Sequence, residues 1–116
     1  MFVHQCNIYD KNQWRIKLYY KSQHGALIIG EYQHGTDNGY LFLNITKNPP
    51  NGYSYYETKQ SISRNITEKS YIRFYVQRDK KKYFSKWDMN FELSEADLTA
   101  IENFIKKKSA TCALSV

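Results

Sequence analysis

The chain has 116 residues, enough for one domain with a core of its own and no staples. Aromatics make up 16% of it, eleven of them tyrosine, and the net charge of +6 favours contact with a polyanion. No apolar run approaches the roughly 20 residues that span a bilayer, which excludes a protein of membrane-crossing helices and leaves a cytoplasmic one expected.

Seven strands are expected, near residues 2–9, 13–21, 26–33, 40–46, 53–61, 70–78 and 82–93, followed by one helix. The chain opens on Met1-Phe2-Val3-His4, without the basic-then-apolar layout of a signal peptide. Cys6 has no CxxC partner and lies far in sequence from Cys112, so both thiols are expected to be reduced. In the second strand Trp14, Ile16, Leu18 and Tyr20 oppose Arg15, Lys17, Tyr19 and Lys21, because strand side chains alternate between faces.

The tripeptide Gln-His-Gly occurs at 23–25 and again at 33–35, bracketing the third strand. His24 and His34 are then about 33 Å apart along that strand, too far to share a metal or to pair as acid and base. The fourth strand sends Leu41, Leu43 and Ile45 toward a core and Tyr40 and Phe42 the other way. Pro49-Pro50-Asn51-Gly52 marks a turn, and residues 60–69 could be strand, short helix or loop.

Tyr71 to Gln77 is the cleanest alternation: Ile72, Phe74 and Val76 on one side, Tyr71, Arg73, Tyr75 and Gln77 on the other. Arg78-Asp79-Lys80-Lys81-Lys82 follows as the expected tip of a hairpin between two long strands. In the last strand Tyr83, Ser85, Trp87, Met89, Phe91 and Leu93 share a face. The period then changes from two to 3.6. Ser94-Glu95-Ala96-Asp97 fits a capping box, with Leu93 and Leu98 placed as a hydrophobic staple. Leu98, Ile101, Phe104 and Ile105 line one side of a helix over 95–108, and Lys106, Lys107 and Lys108 suit its negative end. Residues 109–116 read as a flexible tail.

The expected fold is therefore α+β and mostly β: a curved antiparallel sheet of six or seven strands with one C-terminal amphipathic helix. Such a plan resembles the curved sheet plus helix of Whirly-like single-stranded DNA binders. It is similar also to pleckstrin-homology-type folds, where seven strands precede a helix. No sequence motif carries either likeness, so neither assigns a role to any residue here.

Charge is unevenly placed. Residues 59–86 hold nine Lys or Arg against Glu68 and Asp79, whereas residues 87–105 hold five acids and no base. A sheet face mixing flat rings with cations is the chemistry that single-stranded nucleic acid requires. On it Tyr19, Tyr71 and Tyr75 would stack with bases, while Arg15, Lys17, Arg73, Lys80, Lys81 and Lys82 would neutralise phosphate. No nucleophile motif, phosphate-cradling glycine loop or diagnostic carboxylate pair is present, so a non-enzymatic binding protein without cofactor or metal is expected. A small basic nuclease would have to draw on His24 or His34 with Arg73 and Tyr75. The Lys-, Ile-, Tyr- and Asn-rich composition suits an AT-rich genome such as that of a phage or mobile element. That supports a second expectation from another class: an inhibitor, anti-CRISPR-like, that blocks a host nucleic-acid-processing complex from the host cytoplasm. A homodimer would be a further way to bury the sheet.

Overall fold

The computed structural model describes residues 4–14, 18–21, 24–58, 62–63, 70–86 and 91–107. Its centre is a long hairpin of β3 (His24–His34) and β4 (Asp37–Thr46), joined by a turn in which Gly35 takes φ 63°. A residue with a side chain rarely adopts that φ. At one end of the hairpin, β2 (Leu18–Lys21) pairs with β3, and β7 (Tyr71–Arg73) pairs with β4. At the other end β1 (His4–Ile8) and β8 (Gln77–Lys80) take the same flanking positions. Outside these, β5 (Tyr55–Glu57) extends the sheet beyond β7, and β9 (Phe84–Lys86) extends it beyond β2. The result is an open, all-antiparallel sheet of eight strands, with β6 (Ile62–Ser63) and β10 (Phe91–Glu92) forming a separate pair. With the C-terminal helix it is the mostly β, α+β fold expected.

That helix, α2 (Glu95–Lys107), begins as its sequence requires. The Asp97 backbone N–H donates to Ser94 Oγ at 3.2 Å, and the Ser94 N–H donates to Asp97 Oδ2 at 3.3 Å. Leu93 and Leu98 are both buried beside this cap. Asp97 itself is fully buried, and its carboxylate also accepts from the Tyr56 hydroxyl. Burial first, and then the bond to Asp97, hold that phenol well above the usual range for tyrosine. The cap thus ties the start of α2 to β5. Leu98, Ile101 and Ile105 pack on Leu27, Leu41, Leu43, Ile45 and Ile72 from the sheet.

The sheet has a second, smaller core on its other side. Ile28 pairs with Phe42 but Gly30 pairs with Leu41, so Ile29 is the extra residue of a β-bulge. Leu27 and Ile29 join the main core, while Ile28 joins Ala26 and Phe42 on the opposite face. All three are fully buried, and Tyr9, Tyr19, Tyr40 and Phe84 pack over them. Gly30 is demanded by close packing: a Cβ there would overlap the backbone carbonyl oxygen of Asn7 on β1.

Several expected boundaries change. Residues 13–21 do not form one strand, because Lys11–Trp14 is a single helical turn, α1. Asp10 caps it, accepting from the N–H groups of Asn12 and Gln13, and the buried Trp14 donates its indole N–H to Ile29 O. The strand expected over 70–78 breaks at residues 74–76, where the Tyr75 N–H turns back to Arg73 O. The strand expected over 82–93 is β9 and β10, in different sheets, with residues 87–90 outside those described. Nor is 78–82 a hairpin tip: β8 pairs with β4, and a 3-10 turn over Lys81–Tyr83 carries the chain to β9 beside β2. The expected tail over 109–116, and most of 60–69, lie outside the described residues.

The reduced-thiol expectation is overturned, since Cys6 is disulfide-bonded. Separation in sequence was weak evidence against pairing, because the entropy of closing a loop grows only logarithmically with its length. Cys112 lies outside the described residues.

Candidate functional site

The inner side of the β5–β7 pair is bolted to the main core. Ile72 is fully buried, and Phe74 lies flat on Phe104 of α2, ring centres 4.4 Å apart and planes within 6°. Tyr56 also stacks with Phe74, ring centres 6.2 Å apart. Thr58 closes one end of the pair, giving its N–H to Ser70 O and accepting from the Ser70 N–H. At the other end the Phe74 N–H donates to Ser54 O. The outward side chains are thus held by a rigid support.

Antiparallel partners share a face, so Tyr55 opposite Arg73 and Glu57 opposite Tyr71 all point outward. The reversal at Tyr75 keeps that ring beside Arg73 while Val76 returns to the core. Tyr53, on the turn preceding β5, completes the group. The Arg73 guanidinium lies 3.4 Å from the centre of the Tyr53 ring and 5.0 Å from that of Tyr75. The two rings are 5.9 Å apart, and Tyr55 meets Tyr71 edge-on at 5.6 Å. Tyr53, Tyr55 and Tyr75 are 47%, 45% and 43% exposed, large values for rings this close together. Arg73 has no carboxylate partner among the described residues, and its Nε makes no hydrogen bond.

This arrangement can do two things chemically. The open ring faces offer stacking surface to a planar group. The guanidinium, 3.4 Å from the centre of the Tyr53 ring and with its Nε buried, offers a cation and a spare N–H donor to an anion that reaches it.

Of the residues singled out from the sequence, the structure brings Tyr71, Arg73 and Tyr75 together and leaves Tyr19 apart. Tyr19 lies on β2, three strands from β7, or about 14 Å. It is half-buried in the second core, 5.6 Å from Tyr40. Arg15 and Lys17 lie outside the described residues. The lysines of 80–82 are largely engaged: Lys80 faces Asp37 at 3.9 Å, and Lys81 pairs with Glu31 at 3.3 Å while lying over the Tyr40 ring. Lys82 lies over the exposed ring of Tyr83.

Tyr53 and Tyr55 were not foreseen as part of the site. Their signal was available: two tyrosines at the strand period, directly after Pro-Pro-Asn-Gly, in a segment expected to be a strand.

Comparisons with protein families, with curated proteins and with solved structures find nothing that matches this chain. The architectural likenesses seen from the sequence therefore carry no argument, and the site must be judged by its own chemistry.

Proposed function

We propose that this protein binds single-stranded nucleic acid, without catalysis, across the outward face of β5 and β7. Tyr53, Tyr55 and Tyr75 stack with bases, and Arg73 neutralises a backbone phosphate. The observation that carries the reading is Arg73 itself, a cation framed by exposed tyrosine rings and without a carboxylate partner among the described residues. Stacking contributes about 1–3 kcal/mol per base, and phosphate contact adds a salt-dependent share. Binding of this kind is tolerant of sequence, because every base has a π-face.

The test is fluorescence anisotropy of a labelled oligothymidine across a salt series. The expected result is micromolar or tighter binding, with log affinity falling linearly in log salt by about 0.7 per phosphate neutralised. No binding at low salt would overturn the reading. It would leave the second one, a contact surface for a nucleic-acid-processing protein complex, which tyrosine and arginine also suit as interface residues. A pull-down treated with nuclease detects that contact directly.

A cytoplasmic place of action, natural for a nucleic-acid partner, has to accommodate the disulfide at Cys6, since such bonds persist in oxidising compartments. Cys6 pairs with Tyr32 at the far end of the central hairpin from β7. Oligonucleotide affinity is therefore expected to be the same with and without reductant, measured on the same preparation.

A further inference from the structure

Two buried nitrogen donors in the described part of the molecule lack an acceptor: Arg73 Nε and Gln77 Nε2. Their positions are related. Ile72 pairs with Ile45 and Gln77 with Phe42, so one step further along the first ladder sets Arg73 beside Asn44. Asn44 and Phe42 are alternate residues of β4 and share the outer face, about 7 Å apart. Arg73 and Gln77 are therefore neighbours on that face, astride the break at residues 74–76. A buried donor without an acceptor is costly, so two side by side call for an explanation in the bound state.

We infer that Arg73 and Gln77 together form a niche for one phosphodiester of the bound strand, with Tyr53 as its cover. The inference takes its ligand from the nucleic-acid reading above and its location from the paired donors. A phosphodiester suits them because both are donors, one is cationic, and phosphate oxygens accept several N–H groups at once. Neither nitrogen is open to solvent in the unliganded protein, so an entering oxygen needs a ring to move. Tyr53 is the ring placed to do so. It is nearly half exposed, lies directly over the guanidinium, and its hydroxyl has no hydrogen-bond partner among the described residues. It also follows Gly52, whose φ of 78° and open surroundings place it on an unpacked turn. A base that stacks on the Tyr53 ring would draw that ring off Arg73, opening Nε to the phosphate of the same nucleotide. Gln77 is thereby a binding residue although it is neither aromatic nor charged.

The test follows the side-chain N–H signals of Arg73 and Gln77 by NMR in the whole protein. One titration uses an eight-residue oligothymidine and a second uses dimethyl phosphate, a phosphodiester without bases. The expected result is that the oligonucleotide shifts both signals along one saturation curve. Gln77→Leu is expected to weaken that binding about three- to tenfold, as loss of one hydrogen bond does, with the melting temperature unchanged. Saturation by the oligonucleotide with both signals unmoved would overturn the niche and leave the nucleic-acid reading standing. Saturable shifts of both with dimethyl phosphate, but no oligonucleotide binding, would uphold the niche and overturn that reading. Silence in both titrations would overturn both.

Discussion

The outer face of the sheet carries tyrosines and cations at both ends, yet the two ends are built for different ends. At the β2–β9 end, Tyr19, Tyr40 and Phe84 close over Ile28 and Phe42 to make a second core. The cations there are answered by acids: Lys21 meets Asp79 at 2.6 Å and Lys81 meets Glu31 at 3.3 Å. Glu31 also accepts from the Tyr9 hydroxyl at 2.8 Å, and burial with that bond holds the phenol well above the usual tyrosine range. At the β5–β7 end the rings stay open and Arg73 has no acid partner among the described residues. Composition is shared; the placement of a few carboxylates and of Phe84 separates a structural cluster from a contact surface.

The largest expected effect tests the closed end. Phe42→Ala empties the centre of the second core and should cost about 3–5 kcal/mol in a urea melt, as such truncations do. Tyr53→Ala should stay within about 1 kcal/mol of the parent, because an exposed ring leaves no cavity. Comparable losses in the two variants would erase the distinction between the ends.

Binding should show the opposite order. Arg73→Ala is expected to reduce oligothymidine affinity at least tenfold, since hydrogen bonds to a charged group are worth about 1.5–3 kcal/mol. Arg73→Lys should recover little, because an ammonium lacks the planar fork of N–H donors that fits a phosphate. Lys81→Ala, at the closed end, should leave affinity nearly unchanged. Tyr75→Ala comes next, at about 1–3 kcal/mol of binding for one stacked base, with a weaker loss for Lys47→Ala, which removes an exposed lysine just past the end of β4. Equal losses for Tyr75→Ala and Lys47→Ala would remove stacking from the account.

Local pattern made much of this legible, and tertiary placement hid the rest. The alternation from Tyr71 to Gln77 put Ile72 and Val76 inward and Tyr71, Arg73 and Tyr75 outward, and it survived a break in the strand. At the break Phe74 is held by Ser54 and Phe104, residues remote in sequence. The capping box at Ser94 and Asp97 was readable because its bonds span three residues. Tyr19 has the same alternating context as Tyr75, but in the assembled sheet it packs beside Tyr40 of β4 in the second core. The bulge at Ile29 was equally hidden, since Leu27-Ile28-Ile29 reads as one apolar run whichever face each residue takes. Burial on a second face is a property of the assembled sheet, and no period within one strand reports it.

The smallest expected effect concerns acid. Asp79 is partly buried, which alone would raise its pKa. The hydrogen bond from Lys21, the Lys80 backbone N–H at 2.8 Å and the charges of both lysines outweigh that, and the carboxyl titrates below its ordinary value. A carboxylate depressed by folding stabilises the native state fully at neutral pH. It loses that contribution as pH falls from the unfolded value, about 3.9, through the folded one. With both partners about a third exposed, the pair should be worth no more than about 1 kcal/mol. Urea midpoints of the parent and of Asp79→Asn should therefore differ slightly at pH 6 and converge toward pH 3. A constant gap would mean that Asp79 acts by packing alone, and the closed end would then owe its stability to its rings and not to its ion pairs.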